Sequence, residues 1–344
     1  MNYYLFKLFF FILTNILLII LLSNRASFLR LIDVPNIRKL HTGDVPLIGG
    51  IAIYLSVISF LYFLNSDYWI NLIIYSSIII LIVGALDDAF QLDVTLRLVC
   101  QIFACVIIFG GGLKILSFGQ YEYFPYVQLG LFGFFVSCLS VVALTNAMNF
   151  MDGVDGLSAG LSLIAILGII AYSFIFNNYI LAPIFETYFY IVVSILIFLF
   201  FNLGFIPKLK IFLGDSGSMT LGFIIGWLLI YNTRFEINNM PQVLALWCIS
   251  IPIYDLFGVI IRRFVRGLNP FSPDRRHLHH ILMDKGFNPT ITVIIILLSS
   301  LVLLFLGGFI YFNFGSDLAL LGFILSFIFY LIITLILSKS FKKF

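Results

Sequence analysis

Eleven stretches of almost unbroken apolar sequence run through this chain, near residues 4–22, 47–64, 70–86, 97–113, 127–147, 157–176, 183–203, 216–232, 241–261, 291–312 and 317–338. Each is close to the roughly 20 residues that an α-helix needs to cross a hydrocarbon core. The runs are continuous, whereas the strands of a membrane β-barrel alternate polar and apolar residues. With 62% hydrophobic and 10% charged residues and a mean hydropathy of +1.14, a chain of 344 residues lacks the polar surface of a water-soluble domain. The expected fold is all-α: a polytopic integral membrane protein with about eleven transmembrane helices, one transmembrane domain over residues 1–344. Residues 4–22 resemble a signal peptide in length, but no small-residue cleavage site follows, so a retained first helix is expected. Cys100, Cys105, Cys138 and Cys248 all fall inside apolar runs without a CxxC pair and read as small buried apolar residues.

Orientation follows from the cations. Sixteen of the nineteen Lys and Arg residues fall in one set of loops, and only Lys7, Lys114 and Arg234 fall in the other. The positive-inside bias makes the first set cytoplasmic, with the N-terminus outside and the C-terminus inside. The cytoplasmic loops then lie near 23–46, 87–96, 148–156, 204–215 and 262–290. The cations serve topology, so the net charge of +3 gives no reason to expect a nucleic-acid partner.

Five aspartates, Asp87, Asp88, Asp152, Asp155 and Asp215, sit at the ends of apolar runs, all on the cytoplasmic side, as do all four histidines. A carboxylate at a bilayer edge is costly without a cation or partner, and several on one face suggest one shared cation. In NAMNFMDGVDGLSAG, Asn146, Asn149, Asp152 and Asp155 recur every three residues, which on a helix would align four oxygen-bearing side chains; Gly153 and Gly156 interrupt that helix and let backbone approach a ligand. Hard oxygen ligands suit Mg²⁺ or Mn²⁺. Asp87 and Asp88 point about 100° apart on a helix, so both cannot face one cation. In FLGDSGS, Asp215, Ser216 and Ser218 are candidate caps for the helix that follows. SPDRRHLHH packs Arg276, His277, His279 and His280 into a cationic cluster suited to a nucleotide diphosphate, and Lys39 and His41 are available to phosphates.

Taken in order, DVPNIRKLHTGDVPLIGG, LDD, NAMNFMDGVDGLSAG, FLGDSGS and NPFSPDRRHLHH resemble the polyprenyl-phosphate N-acetylhexosamine-1-phosphate transferases of glycosyltransferase family 4. The nearest likeness is to the branch that acts on N-acetylglucosamine 1-phosphate. The chain departs from the phospho-MurNAc-pentapeptide branch in its two-acid LDD and its HLHH loop. The resemblance implies transfer of sugar 1-phosphate from UDP-N-acetylglucosamine to undecaprenyl phosphate with release of UMP, at the cytoplasmic face of the bacterial inner membrane. The product would begin a cell-surface polysaccharide. Mg²⁺ or Mn²⁺ is implied as cofactor, and a homodimer is a possible assembly. The same resemblance implies Asp215 as prime metal ligand with Asn149 as companion. Asp87 and Asp88 would activate the lipid phosphate or support the metal, and Asp152 and Asp155 would stand at the nucleotide-sugar site. Asn202 is a further nucleotide candidate, and His277, His279 and His280 with Arg276 would hold diphosphate and sugar.

Two other readings compete. A family member could use a different UDP-N-acetylhexosamine. A secondary transporter would also carry acids in its helices, but at mid-span along a path between faces rather than at span ends on one face.

Overall fold

A computed structural model describes residues 2–34, 43–64, 67–177, 182–234, 240–265, 267 and 277–339. Lys39, His41 and Arg276 lie outside these. Among the described residues the regular structure is almost wholly helical: α1 (Asn2–Arg25), α2 (Gly49–Leu64), α3 (Tyr68–Phe90), α4 (Val94–Gly110), α5 (Phe132–Phe150), α6 (Leu157–Asn177), α7 (Ala182–Asn202), α8 (Gly214–Asn232), α9 (Gln242–Cys248), α10 (Ser250–Val265), α11 (Leu278–Asp284) and α12 (Pro289–Lys339). Two short antiparallel strands, β1 (Ile32–Asp33) and β2 (Val45–Pro46), pair Ile32 with Pro46 and Asp33 with Val45. The chain is an all-α, multi-pass membrane protein.

Among the described residues six helices are long and apolar enough to cross a bilayer: α1, α3, α5, α6, α7 and α12. The pair α9 and α10, bent by 78° at Ile249, passes the same test together and makes a seventh if it is one broken span. Pro252 accounts for the bend, because its ring clashes with the carbonyl four residues earlier, that of Cys248. Length and apolarity alone therefore do not reach the expected eleven. The apolar α2 and α4 are short, and α8 opens with the polar GDSGS.

At 51 residues α12 would span about 75 Å if straight, more than twice a hydrocarbon core. It is instead broken at Gly315, whose backbone (φ 83°, ψ −177°) suits glycine almost alone. Gly322 packs on the Ile310 side chain, which a straight helix would hold about 18 Å away, so the two arms fold back on each other. The expected runs 291–312 and 317–338 are these arms.

Helix α8 occupies the centre, against α2, α3, α5 and α6, and every residue in it except Asp215 is buried. Small residues permit this. Gly50 meets the Gly217 backbone and Gly84 meets Ser216, where a Cβ on Gly84 would fall 2.4 Å from the Ser216 Cα. Buried Asn232 finds partners across helices, as the bilayer interior favours: it donates to the Tyr188 hydroxyl (2.7 Å) and accepts from Ser173 (3.0 Å).

Helix ends alternate between two faces. One face joins the end of α3 to the start of α8, and the end of α7 to the segment before α8. The other brings Trp69 to Gly111 (2.9 Å), Lys114 to Gly130 (3.0 Å) and Asp317 to Glu122 (2.8 Å). On the first face β2 is stitched to the entry of α8: Phe212 N–H donates to Pro46 O (2.8 Å), and Gly49 and Gly50 N–H donate to Phe212 O and Leu213 O (2.9 and 3.0 Å).

Candidate active site

The first face gathers all five aspartates. Asp88 lies in the last turn of α3, and its two carboxylate oxygens accept the N–H groups of Asp215 (2.9 Å) and Ser216 (3.1 Å). It caps α8 from a different helix, 127 residues away in sequence, placing a negative group at the positive end of the helix. Gly214 makes the contact possible, because a Cβ there would fall 2.7 Å from Asp88 Oδ2. The serines, expected as caps, do not fill that role; Ser218 Oγ instead donates back to Gly214 O (3.1 Å).

Asp87 takes other donors, while its carboxyl still comes up against that of Asp215. It accepts from Leu92 N–H (2.7 Å) and forms an ion pair with Arg97, on α4. Between them α3 ends in left-handed Gln91, and Asp93 caps α4 by accepting from Thr95 N–H (3.0 Å). Arg97 Nη1 also approaches Asp215 Oδ2 at 3.6 Å, bridging two acids. Counted in the sequence only as one cytoplasmic cation, Arg97 is a structural member of the site. Arg97→Gln should destabilise the protein by about 1–3 kcal/mol, because Asp87 keeps a buried carboxylate with one N–H donor. Thermal unfolding in detergent measures this, and an unchanged midpoint would mean that the ion pair contributes nothing.

Asn149 Nδ2 donates to Asp215 Oδ1 (2.9 Å) and Ser218 Oγ (3.1 Å), so the expected companion of Asp215 touches it. Asn146 does not join them: it donates to Gln101 Oε1 (2.8 Å), between α5 and α4. The four-residue alignment expected from Asn146 to Asp155 holds only for the two asparagines. Helix α5 ends at Phe150, and residues 151–156 turn, ending in left-handed Gly156. Asp152 sits in that turn. Its carboxyl is held well above the usual carboxylate range by burial first, then by the charges of Asp215, Asp88 and Asp155, although the residue keeps part of its surface open. Asp155 pairs with Lys210 Nζ (2.6 Å), a partner with no signal in the sequence. Asn202 Nδ2 donates to Ile211 O (2.9 Å), while among the described residues its buried Oδ1 makes no hydrogen bond. It ties α7 to the entry of α8 and stands apart from the acids.

The histidines lie beside the Asp152 turn. The His277 ring lies on Phe150 (5.0 Å) and parallel to His279 (6.0 Å), and His280 is 4.1 Å from His279. Gly153 abuts the His279 ring, where a Cβ would fall 2.4 Å from Nε2. His279 is buried, and among the described residues neither ring nitrogen is hydrogen-bonded. Burial pushes its pKa down to about 3, so at neutral pH it is an uncharged donor–acceptor. The expected cationic cluster is corrected at this position. His277 is anchored by Asp255 of α10, 2.6 Å from Nδ1. Asp255 was not singled out in the sequence, yet a lone acid inside IPIYDLFG is a legible signal of a polar task within a membrane helix.

Among the described residues no three His, Cys, Asp or Glu side chains enclose a metal. Mg²⁺ typically keeps waters and takes one or two carboxylates plus substrate phosphates, so it does not require such a cage. Asp215 is the one α8 residue left open, with oxygen donors around it and further carboxyls nearby, and these residues fit a hard divalent cation.

Residues 69–233 match the sequence profile of glycosyl transferase family 4. The chain is 35% identical over 288 residues to an undecaprenyl-phosphate α-N-acetylglucosaminyl 1-phosphate transferase of Escherichia coli K12, covering 80% of this chain and 76% of that protein. It is 36% identical over 285 residues to the protein so named from Salmonella typhi (80% and 76%), and 33% identical over 277 residues to the one from Haemophilus influenzae (78% and 76%). The matched regions take in the acid cluster, and this chain belongs to glycosyl transferase family 4.

Proposed function

We propose that this protein transfers N-acetylglucosamine 1-phosphate from UDP-N-acetylglucosamine to undecaprenyl phosphate, at the cytoplasmic face of the bacterial inner membrane, with Mg²⁺ or Mn²⁺ as cofactor. The carrying observation is the meeting of acids and imidazoles at one face of an apolar bundle. A membrane-held phosphate and a water-soluble nucleotide sugar can reach each other only at such a face. The acids cluster at helix ends, which disfavours a transport path. Eleven spans follow if α2, α4 and α8 also cross and α12 counts twice. This gives one transmembrane domain with the site on the cation-rich side. In a Cys-free background, Arg275→Cys should label only from the cytoplasm and Ser66→Cys only from outside. Labelling of position 275 in intact cells would invert the orientation.

In the reaction an oxygen of the lipid phosphate bonds to the β-phosphorus of the UDP-sugar. The bond from that phosphorus to the bridging oxygen breaks, and UMP leaves with the oxygen. The attacking phosphate is already ionised, so positioning and charge neutralisation carry most of the task. A bound divalent cation supplies that neutralisation. Asp215 would hold the cation, with Asn149 orienting its carboxylate through Oδ1. Asp88 fixes the backbone beneath Asp215. Both oxygens of Asp88 are committed to N–H groups, which favours direct attack by the lipid phosphate over an aspartyl intermediate. Arg97 holds Asp87 on the side assigned to the lipid phosphate. Asp152, Asp155 and the α11 histidines would receive the nucleotide sugar.

Replacing His279 with Ala removes a neutral donor–acceptor next to the Asp152 turn. The KM for UDP-N-acetylglucosamine should rise about 10–150-fold, the worth of one hydrogen bond to a charged group, with the KM for lipid phosphate little changed. Unchanged constants for the nucleotide sugar in Ala variants of His277, His279 and His280 would remove α11 from the active site.

A further inference from the structure

Asp255 is fully buried within α10, yet both its oxygens are directed to the start of the histidine segment. Oδ2 lies 2.6 Å from His277 Nδ1, and Oδ1 accepts the N–H of Leu278 (2.8 Å), the first residue of α11. The Tyr330 hydroxyl, from the second arm of α12, also donates to Oδ1 (2.8 Å). Among the described residues the Arg262 guanidinium comes next, but its Nη2 stays 3.9 Å from Oδ1 while Nη1 donates to Thr334 (2.9 Å). A carboxylate present only to balance Arg262 would make its short contact there. Its short contacts go to 277 and 278 instead.

The chemistry of that pairing is directional. An ionised carboxylate only accepts, so His277 carries its proton on Nδ1 and keeps Nε2 for another partner. Among the described residues Nε2 makes no hydrogen bond, and the ring rests on Phe150, one residue before the turn that holds Asp152. The same carboxylate grips the backbone from which His279 and His280 project. We infer that Asp255 is a positioning residue for the sugar-nucleotide end of the site. It holds His277 as the Nδ1–H form and pins the first turn of α11 against the Asp152 turn, with Tyr330 steadying the carboxylate. This rests on the reading of α11 as the part that meets the nucleotide sugar. It gives the second arm of α12, outside the family-profile match, a part in substrate binding.

The test measures KM for each substrate and the unfolding temperature in detergent for Asp255→Asn, Tyr330→Phe, His277→Ala and the double variant Asp255→Asn/His277→Ala. Asp255→Asn should raise the KM for UDP-N-acetylglucosamine about 10–100-fold, the worth of one hydrogen bond to a charged group, with the KM for undecaprenyl phosphate within about twofold of wild type. Tyr330→Phe, which keeps the carboxylate and its imidazole contact, should shift the same constant in the same direction by about 3–10-fold near wild-type stability, so the test stands even if Asp255→Asn folds poorly. Because Asp255 acts through His277, the double variant should bind the sugar nucleotide no worse than His277→Ala alone. Effects that add in the double variant, or equal losses toward both substrates, would overturn the positioning role. A raised KM in His277→Ala beside wild-type constants in Asp255→Asn and Tyr330→Phe would overturn it alone. A wild-type KM in His277→Ala would overturn the reading of α11 as well.

Discussion

Asp215→Asn should lower transfer by about 10²–10³-fold or more while the protein still inserts and unfolds near its normal temperature. Asp215 is the only residue of α8 that is not buried, and it stands where the helix N-terminus, Asn149 and Arg97 converge. Asparagine keeps the shape and can still accept from Asn149, but it removes the charge that would hold a cation against two anionic substrates. Loss of one preorganised electrostatic group at a reacting centre is worth about 3–4 kcal/mol of barrier, which sets the expected factor. The fold should survive, because the cap on α8 comes from Asp88 and the helix is packed by buried apolar side chains. Measured over a Mg²⁺ titration, the variant should stay impaired at saturating metal. Wild-type turnover at limiting Mg²⁺ would exclude Asp215 as a ligand.

Gly84→Val should be among the most damaging single changes outside the acids. Its Cβ would lie 2.4 Å from the Ser216 Cα and 2.6 Å from the Ser216 N, and both are backbone atoms that cannot swing aside. Helices α3 and α8 must then separate, and Asp88, one turn beyond Gly84, withdraws from the N–H groups it caps. Overpacking of this kind costs about 1–3 kcal/mol, and the lost cap about 1 more. Activity should vanish with it, because the same shift parts Asp88 from Asp215. A purified variant with wild-type melting and turnover would contradict the α3–α8 contact.

The sequence made the chemistry of the site legible and left its wiring hidden. LDD, NAMNFMDGVDG, FLGDSGS and HLHH are local patterns of residue types with few uses in an apolar chain, and they meet on one face. What links them acts across long stretches of chain: Asp88 to Asp215, Lys210 to Asp155, Asp255 to His277. Spacing carries no trace of such pairs. Periodicity misled where a turn intervened, since the three-residue repeat from Asn146 crosses the end of α5 and its members part to different neighbours. Capping by Ser216 and Ser218 was the economical local expectation, but an anion from another helix displaced it. The bend at Ile249 was readable from Pro252. The neutral state of His279 was not, because it depends on burial against Gly153 and two neighbouring imidazoles.

The most direct test of the central claim is a transfer assay with purified protein, undecaprenyl phosphate, Mg²⁺ and a panel of radiolabelled UDP-sugars. Label from UDP-N-acetylglucosamine should pass to a lipid diphosphate with release of one UMP per transfer, and removing the metal should stop it. Lipid labelled only from a different UDP-N-acetylhexosamine would keep the reaction class and correct the sugar. No labelled lipid from any member of the panel, with folded protein and metal present, would contradict the account.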